Sequence, residues 1–241
     1  MNSRRSIARS AWYGIFTQAV DKFFPVVIVL YLARTLDAEQ FGIYSFLVAY
    51  LAFFQIVAEQ SLDTVLIRMI SQRPERRVPL FQAALALRLL IALLAATTAV
   101  LLVRPVSSGS VPIGLTFVAA IGLVTAMGGA YRAFYRAALN IRAVLVIAAV
   151  RSALLITAIV VAMSLWPGLM AVFAATAVAN LATVLCVGWA ARREAPPAPR
   201  LDRATWRELL AGVWPIAGNA LAVTASLRAG QVILMSLRGP V

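Results

Sequence analysis

Long stretches of this chain carry almost nothing but apolar side chains, and a water-soluble domain has no use for runs of that length. They fall near residues 11–33, 41–67, 80–103, 112–131, 144–165, 168–190 and 209–234. A hydrocarbon core of about 30 Å is crossed by about 20 helical residues, so each run is predicted to be a membrane-spanning helix. Chain breakers separate them: Asp37-Ala38-Glu39, Arg73-Pro74-Glu75, Ser107-Ser108-Gly109 and Trp166-Pro167-Gly168 all favour turns over helix. With 62% hydrophobic and 13% charged residues, the chain reads as an all-α, polytopic transmembrane helical bundle of seven spans.

Composition removes several kinds of chemistry. Histidine is absent and Cys186 is the single cysteine, so disulfides, Cys/His metal sites and imidazole bases are ruled out. No cofactor and no catalytic residue is expected. A net charge of +13 would suit nucleic acid on a polar protein, but so little polar surface leaves anionic lipid head groups as the better partner and no nucleic acid. Arg4, Arg5 and Arg9 precede an apolar stretch from Ala11 to about Ala33 that lacks a small-residue cleavage site, so it reads as a retained first span.

The loop cations orient the bundle, because Lys and Arg are retained on the cytoplasmic side. With the N-terminus cytoplasmic, fifteen of the 22 cations lie inside, among them Arg132, Arg136 and Arg142. Arg34, Arg104 and Arg238 lie outside, while Lys22, Arg88, Arg151 and Arg228 fall within spans. One missed or invented span would scramble this alternation. Residues 192–208 differ from every other connection. Ala195-Pro196-Pro197-Ala198-Pro199 is semi-rigid, and Leu201 to Glu208 is expected to form a short interfacial helix leading to Leu209. The segment reads as a cytoplasmic hinge between a first six-span lobe, residues 1–191, and a seventh span, 209–241, that begins a second, incomplete lobe. Trp12 and Leu36 bracket the first span much as Trp214 and Leu237 bracket the seventh, a weak internal echo.

Four stretches resemble a known family. Leu32-Ala33-Arg34-Thr35-Leu36-Asp37-Ala38-Glu39-Gln40-Phe41-Gly42-Ile43-Tyr44 is similar to its external turn and Phe-Gly-x-Tyr entry to the second span. Leu62-Asp63-Thr64-Val65-Leu66-Ile67-Arg68-Met69-Ile70 resembles the exit of that span, with a common glycine replaced around Ser61 to Asp63. Phe134 to Arg142 resembles the basic turn between spans four and five. Trp206-Arg207-Glu208-Leu209-Leu210, Trp214-Pro215-Ile216 and Gln231-Val232-Ile233-Leu234-Met235 resemble the lobe-linking helix, the proline-marked seventh span and its end. The family is that of the polysaccharide and O-antigen flippases of the multidrug/oligosaccharidyl-lipid/polysaccharide exporter superfamily.

That resemblance implies two six-helix lobes of the MATE-like kind facing a central cavity, of which this chain has the first lobe and the first span of the second. It implies a bacterial inner membrane location and transfer of an undecaprenyl-diphosphate-linked oligosaccharide from the cytoplasmic to the outer leaflet. Polysaccharide polymerase and glycosyltransferases of the same pathway are the implied partners. An exporter of lipid II or of drugs from the same superfamily is the alternative. A membrane-embedded glycan-pathway enzyme is further off, since no HExxH and no acidic pair with a metal-binding pattern is present.

Ionisable side chains at the bilayer centre cost roughly 2.5–3.5 kcal/mol on insertion scales, so those present should face protein or a wet cavity. Arg88, Arg151 and Glu59 are expected roughly 12 Å from the cytoplasmic ends of their spans, Asp21 and Lys22 near the midplane, and Arg228 further out. This spacing reads as a ladder of cations for a lipid diphosphate. Lys22, Arg88, Arg151 and Arg228 are the candidate head-group contacts, because guanidinium and ammonium groups replace the lost water by charge-assisted hydrogen bonds. Asp21, Glu59 and Asp63 could bind a coupling proton or sodium ion, or simply hold the cations. Gly14, Gln18, Asp21, Lys22 and Pro25 trace one polar stripe on span one, and Gln55, Glu59 and Asp63 another on span two.

Each feature has a plainer structural reading. Arg88, Arg151 and Arg228 can snorkel to an interface, and Asp21 and Lys22 can serve packing. Tyr131, Phe134 and Tyr135 are expected in an interfacial belt. Gly122, Ala126, Gly128 and Gly129 are expected to permit close helix packing, and Cys186 to fill a small apolar space.

Overall fold

A computed structural model describes the backbone of residues 2–56, 59, 61–107 and 110–238, and the side chains of 12–56, 59, 61–107, 110–219 and 222. Helices make up most of the described chain: α1 Asn2–Thr35, α2 Ala38–Gln55, α3 Ser61–Gln72, α4 Arg77–Val106, α5 Ile113–Thr125, α6 Gly128–Ala137, α7 Ile141–Leu165, α8 Leu169–Ala191 and α9 Arg203–Arg238. Among the described residues there is no strand.

Local chemistry sets the ends. Asp37 caps α2, its Oδ1 accepting from the Gln40 N–H at 2.7 Å, and Asn140 caps α7 by accepting from Ala143. Arg73 leads into a short 3₁₀ turn, Pro74–Arg76, where the proline that blocks helix continuation sits at the first position of the turn. Gly168 takes φ 147°, a backbone state open to glycine, and turns the chain from α7 into α8. Leu139 also has positive φ, 56°, at the turn from α6 to α7. Its N–H reaches the Arg136 carbonyl and the next N–H, of Asn140, reaches back to Tyr135, which satisfies the last carbonyls of α6.

Among the described residues five helical segments are long and apolar enough to cross a bilayer: Trp12–Thr35, Pro74–Val106, Ile113–Ala137, Ile141–Leu165 and Leu169–Ala191. They coincide with the first, third, fourth, fifth and sixth predicted spans. The second predicted span covers α2 and α3. Between them Ile56 and Glu59 have π-helical geometry, and the Ser61 hydroxyl donates to the Ile56 carbonyl at 3.2 Å. The fourth is broken between α5 and α6, where Ala126 leaves helical geometry with ψ 40°. The expected interfacial helix from Leu201 and the seventh span from Leu209 are one continuous helix, α9.

Packing places α7 between α1 and α8, with α5 bridging α8 and α4, and α9 lying across α2, α3 and α4. Three apolar cores result. One gathers Leu62, Phe81, Tyr131, Phe134, Ile147 and Leu209. The others gather Phe46, Leu47, Tyr50, Val103 and Phe173, and Ile28, Leu32, Ile159 and Met163. Outward positions are apolar as well: Leu90, Leu93, Leu94 and Leu101 of α4 are all exposed. A helix apolar on every side is suited to lipid on one face and protein on the other.

Tyr131, Phe134 and Tyr135 are buried in the first core and not in an interfacial belt. The Phe81 ring packs against Tyr131 at 5.1 Å and Phe134 at 5.3 Å, because burying three rings together gains more than leaving them at the boundary. Cys186 is exposed instead of filling a core space. The connection into α9 is tied to α4 and the turn before it: the Arg200 N–H donates to the Gln82 carbonyl at 3.1 Å, the Trp206 indole donates to Ala83 at 2.9 Å, and Arg73 pairs with Glu208 at 3.1 Å. Asp202 starts α9, accepting from the Thr205 hydroxyl at 2.7 Å and from two backbone N–H groups. The Thr205 hydroxyl, then its backbone N–H, hold that exposed carboxyl below the ordinary aspartate range.

Candidate functional site

Two arginines stand between the apolar cores. On α4 Arg88 directly follows Leu87 of the first core, with Ala99 of the second further on; on α7 Arg151 lies between Ile147 of the first and Ile159 of the third. An arginine in such a place must find partners, since burying an unpaired charge is prohibitive.

Arg88 finds two. Its side chain is only 2% exposed, its Nη1 is 2.6 Å from Asp63 Oδ1, and its Nη2 is 3.1 Å from Glu59 Oε2. Nη2 makes a contact of charge without a well-directed hydrogen bond. Four-residue spacing explains the pairing. Gln55, Glu59 and Asp63 face one side, Gln55 Nε2 donates to Glu59 Oε1 at 3.3 Å, and both carboxylates converge on one guanidinium. The stripe predicted on span two is therefore real, but it faces a cation from α4. Gly129 of α6 closes the site from the other side: a Cβ there would stand 2.7 Å from Arg88 Nη2 and 3.0 Å from Asp63 Oδ2. At Gly128 a Cβ would meet only Thr183 at 3.5 Å, and at Gly122 nothing within 4 Å, so the close-packing role falls on Gly129 alone of the three.

A second pair involves a residue that sequence reasoning placed outside the membrane. Arg132 belongs to α6, within the Ile113–Ala137 span, and its Nη1 lies 2.9 and 3.0 Å from the two carboxylate oxygens of Asp21 on α1. The predicted fourth span ended at residue 131, one short of this arginine. The available signals were Asp21, an acid in mid-span, and Gly128-Gly129, a pair able to start a second short helix inside the membrane.

Arg151 sits beside these groups. Glu59, Asp21, Arg132 and Arg88 are near enough to act on its charge, yet among the described residues it makes no ion pair and no hydrogen bond. Glu59, Gly128, Gly129, Arg132, Arg151 and Asn180 border a narrow cleft of about 20 Å³, enough for one water molecule. The predicted ladder is thus drawn together. Arg88 and Arg151 meet Asp21, Glu59 and Asp63 in one cluster, with Arg132 added, because opposite charges in a poorly polar interior gain most by contact. Lys22 stays out of it, on the exposed side of α1 with Gln18 and Pro25, so the stripe predicted on span one points inward only at Asp21. The Arg228 side chain lies outside the described residues. Among the described residues no group of acids, cysteines or histidines could hold a metal ion.

Several apolar helices of membrane-crossing length packed around buried and half-buried ion pairs define a multi-pass membrane protein with a charged interior. The chain belongs to the polysaccharide biosynthesis protein family, which it matches over residues 7–241. No curated protein and no solved structure matches it.

Proposed function

We propose that this protein is a flippase that carries an undecaprenyl-diphosphate-linked oligosaccharide from the cytoplasmic to the outer leaflet of a bacterial inner membrane, for O-antigen, capsule or exopolysaccharide synthesis. Its N-terminus is cytoplasmic in this reading, and alternating access is coupled to a proton or sodium ion. The observation that carries it, together with family membership, is the partly buried cluster of three arginines and three carboxylates. A lipid diphosphate cannot cross hydrocarbon with its charge unsolvated, and guanidinium groups satisfy its oxygens with charge-assisted hydrogen bonds.

The cluster suggests a division of labour. Arg151, without a carboxylate of its own, is the first head-group contact, and Lys22 on the exposed side of α1 is an entry contact. Arg88 is held by Glu59 and Asp63 and positions them. Asp21, Glu59 and Asp63 take up the coupling ion as an arginine leaves them, because a carboxylate that loses its cation in a dry site binds a proton more readily. Arg228, predicted further out, would receive the head group later.

Deleting the gene and following surface polysaccharide tests the reading. The expected result is loss of surface polymer with lipid-linked repeat units accumulating on the cytoplasmic leaflet, and restoration by the wild-type protein. Normal surface polymer after deletion, with no other transporter of this kind in the cell, would overturn it.

A further inference from the structure

Arg132 and Arg151 border one narrow cleft although they carry the same charge, and a single carboxylate, Asp21, is bonded to either of them. Both Asp21 oxygens fall on one nitrogen, Nη1 of Arg132, so its Nε and Nη2 make no hydrogen bond among the described residues. Arg151 makes none among the described residues. Two adjacent guanidinium groups with free donor edges repel each other unless an anion joins them, and Glu59, the carboxylate that also borders the cleft, is held by Arg88 and Gln55. The N-terminus of α6 opens on the same cleft at Gly128 and Gly129, with no side chain capping it. Its N–H groups and dipole favour negative charge. With room for one water as it stands, the cleft takes a phosphate group only in exchange for something already there.

We propose that Arg132 and Arg151, with the first turn of α6, form a seat for a phosphate or diphosphate group, and that the Asp21 carboxylate occupies Arg132 in its place when the seat is empty. The identification of that group as the substrate's diphosphate rests on the transport reading above. Asp21 is then a competitor carried on α1. An entering diphosphate takes Arg132, Asp21 is released, and the ion pair that ties α1 to α6 is broken by the substrate itself. Arg132 becomes a binding residue for the head group, with Asp21 a residue that sets its affinity.

The test is thermal unfolding of the purified chain in detergent, titrated with inorganic pyrophosphate against sodium chloride of equal ionic strength. Pyrophosphate is expected to raise the wild-type melting temperature. Arg151→Gln is expected to abolish the shift relative to its own baseline, and Arg104→Gln, an exposed arginine at the far end of α4, to preserve it. Asp21→Asn is expected to lower the pyrophosphate concentration for half-maximal shift about tenfold, as removal of one adjacent competing charge does. A merely structural Asp21 would give unchanged or weaker binding on substitution. Absence of a wild-type shift, an Arg151→Gln shift equal to the wild type's, or no gain in Asp21→Asn would each overturn the seat. If pyrophosphate has no effect while gene deletion still abolishes surface polymer, the seat falls and the transport reading stands. If pyrophosphate behaves as expected while deletion leaves polymer intact, the reverse holds.

Discussion

Arg88→Leu is expected to lower stability by about 3–5 kcal/mol, the range for removing one partner from a buried ion pair. The penalty comes from what stays behind. Glu59 and Asp63 would remain in the interior without the guanidinium that lies 3.1 and 2.6 Å from them. Since a whole domain is stable by only about 5–15 kcal/mol, most of the protein should fail to accumulate in the membrane. The combined variant Arg88→Leu, Glu59→Gln, Asp63→Asn removes the stranded charges and is expected to recover most of the loss, because a neutral replacement of a buried ion cluster is often tolerated. Thermal unfolding in detergent and membrane yield measure both effects. A single Arg88→Leu variant as stable as the wild type would mean that water reaches the two carboxylates freely.

The second large effect is at a residue with no side chain. Gly129→Val is expected to cost about 1–3 kcal/mol, as overpacking does. A Cβ at that position would sit 2.7 Å from Arg88 Nη2. The end of an arginine normally swings aside at little cost, but this one is gripped by two carboxylates, so moving it breaks the pairs. Gly128→Ala is the matched comparison and should be nearly neutral, since its Cβ would make an ordinary contact with Thr183. Equal melting temperatures for Gly129→Val and the wild type would show that Arg88 is not fixed as described.

Much of the fold was legible because lipid imposes a length and a polarity on each helix that are visible residue by residue. The limits of α4, α7 and α8 lie within about three residues of the predicted spans, well inside the usual uncertainty of helix ends. The π-helical geometry at Ile56 and Glu59 was not legible, because in an apolar run no proline or glycine marks it, and Glu59 is held by a contact made elsewhere, with Arg88. The site was half legible. Charges in mid-span announced Asp21, Glu59, Asp63, Arg88 and Arg151, but not their pairing, which depends on how helices distant in sequence are brought side by side. Arg132 was hidden by its neighbours Arg136 and Arg142, which made it look like one more cytoplasmic cation. Tyr131, Phe134 and Tyr135 misled for a related reason: aromatics next to arginines suit an interface, and only the presence of Phe81 opposite them makes burial the better solution.

The central claim is that Arg151, in the partly buried cluster, receives the anionic head group. Its most direct test is the rate at which a polyprenyl-diphosphate-linked oligosaccharide crosses the bilayer of vesicles containing the full protein as its cell expresses it, wild type against Arg151→Gln, with the two matched in melting temperature and amount. Losing one guanidinium contact to the head group predicts a fall of at least about tenfold. An unchanged rate would contradict the account.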